Sequence, residues 1–230
     1  MSSSNVTPSQ RGRLLLIVDM GTTFATVARI VVPPGRNAND ITYRHVEYFH
    51  DWPRKNKDGK HSDVVPTKQC YGGSLDDSTI LWGWSMTSKI ENPWDDIHQL
   101  KHRWITGLKL LLDSSIDTSE LEKKLDDLQR DGFIHAQDDA FTDYLVQSLT
   151  RVRERKFDEG FLHPEFVICA PIAWSVKSYH RWYSSFGSAI RIVWPEHDAQ
   201  TPPRITTASE PEAAASYCLS NWGGDFEVCQ

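Results

Sequence analysis

The sequence predicts an α/β fold. Two continuous apolar runs, Leu14–Val18 and Phe166–Ala170, have the length and composition of strands buried on both faces. The first run opens a β-rich meander, and the last third of the chain alternates strand and helix patterns. That alternation is the signature of strands connected through packed helices.

Residues 1–12 are polar and Ser-rich and predict a disordered tail. After the first strand, Met20–Thr23 interrupts with Gly and Thr, and Phe24–Val32 is β-rich again. Pro33-Pro34-Gly35 and Asn37–Asp40 predict a turn, and Ile41–Phe49 a third strand. Residues 50–63 are charged and turn-rich and predict an exposed loop. Ile80-Leu81-Trp82 predicts a short strand. Trp94–Leu112 has partly helical spacing (Ile97, Leu100, Trp104, Leu108, Leu111). Ser119–Leu128 and Ala140–Arg155 are amphipathic helices, the second with Phe141, Tyr144, Leu145, Leu149 and Val152 on one stripe. Pro171 ends the Phe166–Ala170 strand, and Ser175–Ile190 predicts a helix. Arg204–Ala208 predicts a short strand. Ser209–Leu219 predicts a helix opened by a capping box, Ser209 with Glu212, and Pro211 in its first turn. A turn at Asn221–Asp225 and a strand start at Phe226–Cys229 follow.

Bulk properties narrow the function. With 230 residues the chain can bury one sizeable core. The net charge is −6 and no Lys/Arg block occurs, which sets nucleic-acid binding aside. No apolar run approaches the roughly 20 residues of a membrane helix, and the N-terminus lacks the basic-then-apolar pattern of a secretory signal. Four cysteines (Cys70, Cys169, Cys218, Cys229) are widely spaced, without a CxxC pair. They predict reduced thiols in the cytoplasm rather than a zinc site or disulfide framework. His98 and His102 stand four apart with no third ligand in view, which favours a surface or packing role. Trp82, Trp84, Trp94 and Trp104 are expected to pack.

Three segments carry chemistry. Asp19-Met20-Gly21-Thr22-Thr23 lies between two strands. A carboxylate at a strand end can hold a hydrated Mg²⁺, Gly21 lets backbone approach an anion, and turn N–H groups with two hydroxyls can surround phosphate oxygens. The same residues also suit an ordinary β-hairpin turn. The segment FVICAPIAW (166–174) is a strand ending in Pro and an aromatic, and by itself a packing element. In ITTASEPEAAASYCL (205–219), Glu210 opens a helix, a position that also suits a plain capping carboxylate.

In this order and spacing the three segments resemble the 70-kDa heat-shock protein family (DnaK-type chaperones) of the actin-like ATPase superfamily. LLLIVDMGTTFATVARI is similar to its first phosphate loop, FVICAPIAW to its VPAYF segment, and the third segment to its NEPTAAALAYGL. EPEAAA and NPWDDIHQLKHRWITGLKLLL look like a divergent branch abundant in filamentous fungi. The resemblance covers about residues 12–230. It implies the first lobe of an actin-like ATPase (ribonuclease H-like) fold: a mixed sheet flanked by helices, formed by 13–49 and 137–230, with a small α/β subdomain inserted at 50–136. It implies Mg-ATP or Mg-ADP as ligand. Asp19 would hold the metal through water, Gly21, Thr22 and Thr23 the phosphates, and Glu210 a metal-bound water; Asp19, Thr22 and Glu210 would be the catalytic set. Pro171 matches a proline proposed to relay nucleotide state.

The sequence departs from that pattern in places. Four residues after Gly83, where the family has its catalytic lysine, stands Thr87, with Lys89 two further on. Eight residues after Pro171, where the family has its relay arginine, stands Tyr179, with Arg181 two beyond. Gln230 stands where the second phosphate loop should open with Asp. The expectation is therefore a lobe lacking the second loop, the second lobe and the peptide-binding domain, with poor ATPase activity. The lobe face then left exposed would bind a protein partner or self-associate. Two other readings are a non-enzymatic interaction module and a sugar kinase of the same superfamily; the EPEAAA segment argues against the latter.

Overall fold

The computed structural model describes residues 12–36, 41–53, 62–73, 79–113, 115–161, 163–197 and 201–209. The expected tail up to residue 11, the Ser209–Leu219 helix beyond Ser209, the Phe226–Cys229 strand, Glu210 and Gln230 lie outside these residues.

The chain forms a mixed α/β fold. β1 (Arg13–Met20) and β2 (Phe24–Val32) make a hairpin paired along its whole length, from Arg13 opposite Val32 to Met20 opposite Ala25. On the other side of β1 lies β8 (Glu165–Ala170), parallel, and beyond it β9 (Ile205–Ser209), also parallel. β3 (Glu47–Tyr48) and β4 (Val64–Pro66) both pair antiparallel with β2, so the main sheet runs β3-β2-β1-β8-β9 with β4 beside β2.

Side-chain alternation decides what this sheet buries. Leu14, Leu16, Val18 and Met20 of β1 and Phe166, Ile168 and Ala170 of β8 are buried in the main core. Leu15, Ile17 and Val167, on the other face, are half-buried. The apolar runs alone predict burial on both faces; among the described residues only one is fully covered. The cover is α3 (Asp139–Glu154) and α4 (Val176–Val193), the second being the crossover between β8 and β9. Both present the apolar stripe expected of a helix on a sheet: Phe141, Tyr144, Leu145, Leu149 and Val152 from α3, and Trp182, Phe186, Ala189 and Ile190 from α4. α4 begins where its sequence signals it, Ser175 accepting the Ser178 N–H at 3.1 Å.

A second, antiparallel sheet is ordered β6-β5-β7, from β5 (Lys68–Tyr71), β6 (Ile80–Trp82) and β7 (Trp104–Thr106). It carries α1 (Gly83–Glu91), and α2 (Ser119–Arg130) follows. β4 runs into β5 through the single residue Thr67, so one short segment belongs to both sheets.

Two expected elements differ. Trp94–Leu112 is not a helix. It forms two 3-10 stretches, 96–103 and 108–112, on either side of β7. Backbone pairing of Trp104–Thr106 with β5 outweighs the helical spacing, and Gly107, at φ 69°, turns the chain out of the strand. The third strand predicted at Ile41–Phe49 shrinks to Glu47–Tyr48. Residues 43–45 turn in 3-10 form, with His45 Nδ1 accepting the Thr42 N–H at 3.0 Å.

Candidate functional site

The Met20–Thr23 segment is the hairpin turn between β1 and β2, and its shape follows from Gly21. The Gly21 N–H donates to the Phe24 carbonyl at 2.8 Å. A Cβ on residue 21 would sit 2.7 Å from that oxygen, so the turn closes this tightly only with glycine there. Thr22 and Thr23 are exposed, and Asp19, the last polar residue of β1, is half-buried.

Beneath the turn lies Thr67, 2 % exposed. Its hydroxyl donates to the Thr22 carbonyl at 2.8 Å and its N–H donates to the Thr23 carbonyl at 2.9 Å. Both carbonyls are thus drawn toward Thr67. With the Gly21 N–H taken by Phe24, the N–H groups and hydroxyls of Thr22 and Thr23 are then the donors on offer to an anion. Trp84, at the start of α1, anchors alongside: its indole N–H donates to the Val64 carbonyl at 2.9 Å and its ring lies 6.2 Å from that of Phe24.

Strand direction places other residues at the same edge. β1, β8 and β9 are parallel, with Val18 level with Ile168 and Ala170 level with Ser209. β1 runs two residues past Val18 and β8 two past Ile168, so both strands end at this edge. The turn therefore leaves the sheet beside Pro171, which follows β8. Ser209, which precedes Glu210 in the chain, ends β9 at this edge too. The carboxyl ends of parallel strands are where open α/β sheets place their ligands. A pocket of about 320 Å³ opens here, bounded by Ala170, Pro171, Trp174, Tyr179, Thr207 and Ser209. Its rim carries Ile172 and Val176, 77 % and 75 % exposed.

Asp19, Gly21, Thr22 and Thr23 therefore come together, and Pro171 lies at their edge of the sheet. Glu210 is outside the described residues. Thr87 and Lys89 bond within and beside α1. The Thr87 hydroxyl donates back to the Gly83 carbonyl at 3.1 Å, and the Lys89 ammonium pairs with Asp95 at 3.6 Å. Tyr179 donates to the Thr207 hydroxyl at 2.8 Å, while Arg181 grips Asp138. His98 Nε2 meets the Asn92 carbonyl at 2.9 Å and its ring lies against Trp104; His102 is exposed. No group of three or more His, Cys, Asp or Glu side chains able to hold a metal ion occurs among the described residues. A single carboxylate at a strand end suits a cation that keeps most of its waters and takes its remaining ligands from phosphates, as Mg²⁺ does. Among the described residues no helix is long and apolar enough to cross a membrane.

Thr67 escaped the sequence reading. Nothing in VVPTKQCY marks it as the partner of a turn 45 positions earlier. No protein-family model matches this chain, and no characterised protein matches it by sequence.

Proposed function

We propose that the chain is a nucleotide-binding lobe of the actin-like ATPase fold, of the 70-kDa heat-shock type, and that the Asp19–Thr23 turn grips the phosphates of Mg-ATP or Mg-ADP. One observation carries the reading. A glycine turn with exposed hydroxyls and a half-buried carboxylate leaves the sheet at the edge where the parallel strands β1, β8 and β9 end. Thr22 and Thr23 would cradle phosphate oxygens through N–H and O–H donors, on a turn whose tight shape Gly21 allows. Asp19 would hold a hydrated Mg²⁺, which supplies charge neutralisation between phosphates. Phosphoryl transfer rests on positioning and charge stabilisation, and a single such turn would grip the phosphates from one side. The expected behaviour of these 230 residues is therefore weak Mg-nucleotide binding with negligible turnover, in a compartment where the thiols stay reduced, the cytosol. Calorimetric titration with Mg-ATP tests this. Weak, magnesium-dependent binding supports it, and micromolar affinity with turnover contradicts the expectation of a one-sided site.

The exposed pair Ile172 and Val176 favours a second reading, a protein-contact module acting without nucleotide. Light scattering on a size-exclusion column separates the two: a monodisperse monomer that binds Mg-ATP counts against the second.

A further inference from the structure

We infer that Thr67 is the positioning residue of the Met20–Thr23 turn and couples that turn to the junction of the two sheets. The inference rests on the phosphate-turn reading only for its ligand-binding consequence. Three facts support it. Thr67 is the one residue between β4, which pairs with β2, and β5, which pairs with β6 and β7. It is buried, and it uses both its hydroxyl and its N–H on the carbonyls of Thr22 and Thr23. Those two residues are exposed, so the core packing that ends at Met20 does not define the carbonyls beyond it. A short turn with exposed side chains is otherwise a low-stability segment, and these hydrogen bonds are what fix the direction of its carbonyls. A shift of the small sheet relative to the main sheet would pass through Thr67 and rotate the two carbonyls. In reverse, an anion held by the turn would stiffen the junction.

The test compares Thr67→Val, which keeps the shape and the N–H but loses the hydroxyl, with Thr67→Ser, which keeps the donor. Amide hydrogen exchange is read residue by residue on the whole chain, and magnesium tripolyphosphate serves as the ligand probe. The expected result is about tenfold faster exchange at Gly21, whose N–H is held inside the turn, in Thr67→Val, the scale of one lost hydrogen bond. Exchange at Leu16 and Val18 stays unchanged, and Thr67→Ser lies near the wild type. Unchanged exchange at Gly21, or an equal acceleration throughout the protein, overturns the positioning role. If the wild type binds tripolyphosphate, Thr67→Val should bind about tenfold more weakly and Thr67→Ser normally; equal affinity in all three overturns the inference and leaves the phosphate reading standing. A loosened turn in a wild type that binds no tripolyphosphate upholds the positioning role and removes the phosphate reading.

Discussion

Arg181 on α4 holds Asp138, at the start of α3, through two nitrogens: Nη2 and Nε reach Oδ1 at 2.6 and 3.0 Å. A third nitrogen, Nη1, donates to the Leu111 carbonyl at 3.3 Å. One side chain thus ties together both core helices and the 3-10 stretch that leads away from β7. The guanidinium suits this because its planar fork meets a carboxylate with two bonds and still has a donor left over.

The side chains of Arg181 and Asp138 are 28 % and 40 % exposed, so solvent screens part of their attraction. A double-mutant cycle with Arg181→Met and Asp138→Asn should return a coupling of about 1 kcal/mol in denaturant unfolding. Lysine should not replace the arginine fully, since it cannot bridge both oxygens and the Leu111 carbonyl.

Gly21→Ala should damage the turn without reaching the core. The added methyl would meet the Phe24 carbonyl at 2.7 Å, and the obstacle is backbone, which cannot rotate away. A loss of about 1–3 kcal/mol is expected, in the range of overpacking strain. Altered amide shifts should be confined to residues 19–26 and 67, as a two-dimensional NMR spectrum would show.

His197 should make the protein acid-sensitive. Its ring is buried against Phe166 and stands 5.1 Å from His163, and burial holds its pKa below the ordinary histidine value. The Thr201 and Pro164 carbonyls and Glu196 oppose that shift, while His163 reinforces it. With the folded pKa depressed, the unfolded chain binds this proton more readily. Stability is therefore complete above the unfolded pKa, about 6.5, and falls as pH drops from there toward the folded value. Urea unfolding at a series of pH values should show this slope in the wild type and a flatter one in His197→Gln.

Cys70 should be chemically silent in the folded protein. It is fully buried, and burial pushes its thiol up to about 11 against the opposing charges of Arg103 and Lys89. At pH 8 only about one molecule in a thousand would carry the thiolate. Alkylation followed by peptide mapping should find Cys70 modified at least about a hundredfold more slowly than in urea.

How much of this was legible in the sequence depended on how local the cause was. The stripe of α3, the helix from Ser175 and the apolar runs of β1 and β8 are written in neighbouring residues, and the structure has helices and strands there. The stretch 94–112 was not legible, because β7 exists only through pairing with β5, some 35 residues away. The site divided the same way. Asp19, Gly21, Thr22 and Thr23 are contiguous and can be read as a turn, whereas Thr67 reaches it only through the fold. Lys89 could be noticed by its spacing, but its pairing with Asp95 depends on the Asn92–Asp95 turn that follows α1.

Phosphate and magnesium are the ligands proposed for the Asp19–Thr23 turn. The most direct measurement follows backbone amide shifts while Mg-ATP is titrated into the protein, alongside Asp19→Asn. The account predicts saturable shifts centred on Gly21, Thr22 and Thr23, dependent on magnesium and at least about tenfold weaker in Asp19→Asn. The absence of shifts at these residues up to millimolar Mg-ATP, or binding indifferent to Asp19, would contradict it.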